Sequence, residues 1–116
     1  MLITDEGEEL LQVLGNEYNA DILGSTHEPR SAQELSEELD VPIATCYRRI
    51  EELTDADLLE HHDRVLSDER RRVNVYRRDV DEVRIEFRED AYSVEIEQRT
   101  QVKNKLDEAW RTLSKG

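Results

Sequence analysis

The stretch SAQELSEELDVPIATCYRRIEEL, Ser31 to Leu53, holds two short amphipathic patterns separated by a three-residue interruption. Ser31 is followed three positions later by Glu34, the spacing of a capping box, and Leu35 and Leu39 then supply an apolar face. Asp40-Val41-Pro42 breaks that face. Proline suits the first turn of a helix, where its missing N–H would have no partner anyway, so the second pattern reads as a helix over 42–55.

Toward the N-terminus, Asp5 and Glu8 form a weaker capping box, and Leu10, Leu11 and Leu14 predict a helix at about 5–14. Asn16 is the expected cap of a further helix, which carries Tyr18, Ile22 and Leu23 and ends at Gly24-Ser25. Beyond Leu59 the period changes. Val73 and Val75 alternate with Asn74 and Tyr76, and Ser67-Asp68-Glu69 reads as a turn, which predicts a hairpin of 58–64 and 71–78 with a charged tip. Val83, Ile85 and Phe87, then Tyr92, Val94 and Ile96, predict a second hairpin. Residues 98–114 return to helical spacing, with Val102, Leu106, Ala109 and Leu113 in one stripe flanked by Trp110. The expected fold class is mainly α with a small β component (α+β), divided into 1–80 and an arm at 81–116.

Two short helices about a tight break, followed by a hairpin with a basic tip, describe a winged helix-turn-helix. Ser31 to Leu53, continuing through Ala56-Asp57-Leu58-Leu59-Glu60 and more loosely back to residue 5, resembles the ArsR-type transcriptional regulators, most closely the variety of salt-loving archaea. The resemblance implies a winged helix-turn-helix fold that binds DNA. It does not imply which gene is controlled.

At about 100° per residue, Cys46, Ile50 and Leu53 fall on one side of the 42–55 helix and Ala44 and Arg48 nearly opposite, with Thr45 and Tyr47 at the edges. Recognition helices meet base edges with their N-terminal half. Arg48 has the fork for guanine O6 and N7, Thr45 a hydroxyl and a methyl, and Ala44 a surface for a thymine methyl. Tyr47 and Arg49 suit phosphates, and Ser31 opens a helix whose backbone N–H groups suit another. Glu51, Glu52 and Asp55, in the second half of the helix, would repel a phosphate wall, so only the first half is expected in the groove. Arg64, Arg70, Arg71 and Arg72 bracket the hairpin tip and are candidates for backbone or minor-groove contact. Strand alternation would send Arg70 and Arg72 one way and Arg71 the other. A salt-bridged helix face and a charged edge against aggregation are the competing readings of these arginines.

Charge distribution supports this placement. Among 116 residues, 29 acids against 16 bases give −13, and the first forty residues alone carry eleven acids against Arg30. Arg64 to Arg78 holds six arginines against Asp68 and Glu69. Basic charge is thus concentrated in one segment of an acidic chain. Thirteen of the bases are Arg and three Lys, which favours a protein of a salt-accumulating cytoplasm over an ordinary acidic domain. No run approaches the ~18 apolar residues of a membrane span, and the N-terminus lacks a secretion signature. The expectation is a cytoplasmic chain with no membrane partner.

Cys46 is the one cysteine, so no internal disulfide is possible. It shares the core stripe with Ile50 and Leu53, which favours a small buried hydrophobe over a redox switch. His61 and His62 alternate in a strand, and with His27 distant no metal site is expected. Nothing has the spacing of a catalytic constellation, so no enzyme activity and no cofactor are expected. The 4-3-4 steps of Val102, Leu106, Ala109 and Leu113 are those of a coiled-coil seam and, with Trp110, predict a homodimer, against the reading that this helix folds over its own domain. The predicted function is a sequence-specific DNA-binding regulator acting on double-stranded DNA by operator occupancy. The alternative is a winged-helix module that binds proteins of the transcription machinery through its acidic face. The effector is not legible.

Overall fold

A computed structural model describes residues 5–99. Helices α1 (Asp5–Gly15) and α2 (Asn19–Ser25) are followed by a two-residue strand β1 (Arg30–Ser31), then α3 (Ala32–Leu39) and α4 (Ile43–Asp55). Strands β2 (Leu59–Leu66), β3 (Arg72–Arg78), β4 (Val80–Arg88) and β5 (Ala91–Gln98) complete the order. The four helices expected before the hairpins, and both hairpins, are present. The C-terminal stripe Val102, Leu106, Ala109, Trp110 and Leu113 lies outside the described residues.

The capping box of α3 is formed as its spacing predicts: the Glu34 N–H donates to the Ser31 hydroxyl at 3.1 Å, and the Ser31 N–H to the Glu34 carboxylate at 3.0 Å. Asp40, left-handed at φ 56°, ends the helix, and the Asp40 and Val41 N–H groups both return to the Ser36 carbonyl. The end of α4 repeats this logic. Asp57 is left-handed at φ 60°, its N–H donates to Thr54, and the Leu58 N–H reaches back to Leu53. That pattern is a Schellman motif, and its apolar pair, Leu53 and Leu58, is fully buried.

Asn16 does not cap α2 with its side chain. Tyr18 occupies the N-cap at φ 73°, and the Asn16 amide donates instead to Glu52 on α4. A tertiary carboxylate has displaced the local cap.

The core is built from Ile22, Leu35, Cys46, Ile50, Leu53, Leu58 and Leu59, with Val80 closing it from the strand side. β1, β3 and β2 form a three-stranded antiparallel sheet, with Ser31 opposite Val75 and Leu59 opposite Arg78. Sequence periodicity does not reveal β1, because two residues carry no period. β4 and β5 form a separate antiparallel pair whose base packs on the core through Val83, Val94 and Ile96. A single residue, Asp79, joins β3 to β4. Among the described residues, no helix is long and apolar enough to cross a membrane.

Candidate nucleic-acid interface

α4 presents its two faces as the angular reading predicts. Cys46, Ile50 and Leu53 are buried, and Ala44, Tyr47 and Arg48 are exposed, with Thr45 half-buried at the edge. Arg48 donates to the Thr45 hydroxyl at 3.3 Å and is in no ion pair with a described residue. Its guanidinium is therefore held along the N-terminal half of the helix with its charge uncompensated. Arg49 differs. It pairs with Glu52 at 3.2 Å and is largely covered.

Glu52 departs from the outward-facing position expected of it. It accepts from the side-chain amides of Asn16 and of Asn19, the latter at 3.0 Å and fully buried. Asn19 also donates to the Val13 carbonyl at 2.7 Å. Glu52 thus ties α4 to the α1–α2 junction, and only Glu51 and Asp55 remain exposed on the outer face. No local pattern signals this role, since the partners lie 33 and 36 residues away.

Ser31 is buried at the start of α3, with its hydroxyl and N–H both occupied by Glu34. Arg30 beside it lies near Glu34 and Glu38, at 3.9 and 3.8 Å.

The wing is the β2–β3 hairpin. Arg64, Arg71 and Arg72 are exposed along its edges and Arg70 at its tip. The Ser67 N–H donates to the Arg71 carbonyl at 2.8 Å and the Arg70 N–H to the Ser67 carbonyl at 2.9 Å. With Arg70 at φ 60°, this is a three-residue loop closed by a left-handed residue. Arg70 therefore belongs to the turn, and the alternation expected between Arg70 and Arg71 does not apply there. Glycine is the residue this position favours. Arg70→Gly is expected to stabilise the hairpin by about 0.5–1 kcal/mol while removing one wing charge, read as a higher Tm beside weaker DNA binding. Arg78, at the far end, is structural: it donates to the Leu23 carbonyl at 3.0 Å.

Cys46 is fully buried, with Sγ 3.9 Å from the Val41 carbonyl, and burial pushes its thiol above the ordinary range. The folded state therefore resists ionisation that the unfolded chain undergoes above about pH 8.5. The unfolded chain then binds fewer protons, so this thiol costs stability as pH rises past that point. Comparing Tm of the wild type and Cys46→Ala between pH 7 and 9.5, the gap is expected to change in favour of the variant at high pH. Oxidation in the folded state requires an exposed thiolate, which this site withholds.

His61 approaches Asn74 at 3.0 Å and stacks edge-on against Tyr76, whereas His62 lies 3.8 Å from Glu60. A bulge between His61 and Asp63 interrupts strict alternation there. Among the described residues, no three His, Cys, Asp or Glu side chains gather as metal ligands.

Exposed helix α4 beside a basic wing is a recurrent DNA-reading geometry. The profile of a family described as a helix-turn-helix domain matches residues 14–62, from the end of α1 through α4 into β2. Residues 14–62 are thus similar to a helix-turn-helix domain. This is the type of transcription regulators that bind DNA. The helix-turn-helix match ends before the wing tip, so the arginines from Arg64 onward rest on geometry alone. No curated protein matches the chain.

Proposed function

We propose that the chain is a non-enzymatic, sequence-specific regulator of the ArsR type, acting as a homodimer by operator occupancy in a salt-rich archaeal cytoplasm. The observation that carries this reading is Arg48: exposed on the first half of α4, bonded only to Thr45, and not neutralised by a carboxylate among the described residues. Arg48 and Thr45 read base edges, with Ala44 and Tyr47 lining the contact, while Arg64, Arg70, Arg71 and Arg72 hold backbone phosphates. Ser31 serves this interface as the cap that orients α3, whose first-turn backbone N–H groups suit another phosphate. The stripe of Val102, Leu106, Ala109 and Leu113, with Trp110, supports a dimer that sets two α4 helices about 34 Å apart, one turn of DNA. The arginine-rich, lysine-poor acidic composition supports the saline setting.

Concentrated salt suppresses counterion release, so base contacts and apolar association carry more of the affinity than usual. The test is fluorescence-anisotropy selection from a pool of genomic DNA fragments in molar KCl. Retention of a palindromic sequence supports the regulator. Absence of any DNA binding by folded protein overturns it and leaves the protein-binding module.

A further inference from the structure

The β4–β5 hairpin has two unlike faces. One is charged: Arg84 pairs with Glu95 across the strands at 2.6 Å and Arg88 with Glu86 at 3.0 Å, while Glu82 stands opposite Glu97. The other places Val83 opposite Ile96, Ile85 opposite Val94 and Phe87 opposite Tyr92. Its base packs on the core, but exposure climbs toward the tip, from 41% at Ile85 to 79% at Phe87. In a chain with one Phe and one Trp, an uncovered Phe on an all-apolar sheet face calls for a covering surface.

That face continues into a groove of about 690 Å³ between α1, the end of α4 and β5. Leu10, Val13, Val94 and Ile96 contribute its apolar lining; of its carboxylates Glu52 is engaged by Arg49, which leaves Glu9, Asp55 and Asp57. None of these three carboxylates is in an ion pair with a described residue. The groove therefore favours an occupant that is apolar on one side and basic on the other.

Residues 100–116 have that chemistry. They hold all three lysines of the chain and Arg111 against Asp107 and Glu108, a net +2 in a protein of −13, together with the apolar stripe from Val102 to Leu113. The described chain ends beside the groove: the Gln98 amide donates to the carbonyl of the lining residue Asp57 at 3.0 Å, and the Arg99 N–H to Asp79 at 2.7 Å. Seventeen residues at helical rise span about 25 Å, close to the ~30 Å of a nine-residue strand.

We infer that the strip formed by the groove and the β4–β5 apolar face is the seat for residues 100–116 of a second copy of this chain, so that the two copies exchange their C-terminal segments. This rests on the homodimer reading and names the surface that the dimer uses.

Trp110, the single tryptophan, lies in the exchanged segment and reports on the full chain directly. Emission and sedimentation are followed together across a dilution series for the wild type and for Ile85→Ser/Phe87→Ser, whose sites are exposed in the monomer, with circular dichroism confirming the fold. The expected result is blue-shifted emission in the wild-type dimer, a red shift on dilution to monomer, and in the variant a red shift with a dimer dissociation constant raised about tenfold or more. Glu9→Lys/Asp55→Lys, across the groove, is a second variant expected to shift both readings the same way. An intact dimer with unchanged emission in both variants overturns the docking surface but leaves the dimer standing. Blue emission that persists in the monomer places the segment on its own copy and overturns the exchange. A monomer with red emission at all concentrations overturns both.

Discussion

Arg48→Ala is expected to lower affinity for the selected operator by about five- to 150-fold, equivalent to ~1–3 kcal/mol, and to leave affinity for unrelated DNA within a small factor. The asymmetry comes from what the side chain does in the free protein. Its only described polar partner is the Thr45 hydroxyl, so truncation orphans no buried group and the fold should keep its Tm. Truncating a wing arginine has the opposite signature. Loss of Arg71 or Arg72 weakens binding to all sequences alike and reduces the slope of log affinity against log salt by roughly one phosphate's worth, ~0.9. Anisotropy titrations on operator and scrambled duplexes at several KCl concentrations separate the two. If Arg48→Ala weakens both duplexes equally, Arg48 is a phosphate contact and the reading residues lie elsewhere on α4.

The local features of this fold were legible because local chemistry specifies them. A capping box declares itself at a spacing of three, and the buried stripe of Cys46, Ile50 and Leu53 follows from helical period alone. The exposed side of α4 followed by subtraction. What stayed hidden depends on residues distant in sequence. β1 exists because Arg30 and Ser31 meet Tyr76 and Val75, and two residues cannot advertise a strand. Asn16 had the chemistry of a helix cap, yet a carboxylate on α4 took its amide. Arg70 lay in a run of three arginines that looked like a strand, but hydrogen bonds to and from Ser67 set a turn there and placed Arg70 in a left-handed conformation. Three of the positive-φ residues, Asp40, Asp57 and Glu89, are acids in places where glycine is easiest, which removes the glycine signal that usually marks such positions. The same acidic bias disguised Glu52 as one more surface charge.

Glu52 yields the second large effect, and its sign differs between two measurements. Removing the carboxylate in Glu52→Ala takes an acceptor from Asn19, which is fully buried and whose carbonyl oxygen already has no partner among the described residues. The Asn19 amide keeps its bond to the Val13 carbonyl, but its second N–H is left without that acceptor; a buried N–H so orphaned costs about 1–3 kcal/mol, and for a domain of this size each kcal/mol lowers Tm by roughly 4–8 °C. The same substitution releases Arg49, held at 3.2 Å from Glu52, next to the proposed reading residue Arg48. A freed guanidinium on that side of α4 adds a cation to the interface and removes a carboxylate that repels phosphate. DNA affinity is therefore expected to rise while stability falls, with the salt slope steepening by about 0.9 for one added phosphate contact. Glu52→Gln separates the causes. Its one carbonyl oxygen can still accept from the two asparagine amides, while an NH2 group replaces the oxygen that holds Arg49, so it should retain most of the stability and still release Arg49. Were Glu52→Gln to weaken DNA binding as well, the Arg49–Glu52 pair would be shaping the reading surface rather than restraining it, and α4 would depend on that carboxylate for its docking angle as much as for its anchorage to α1 and α2.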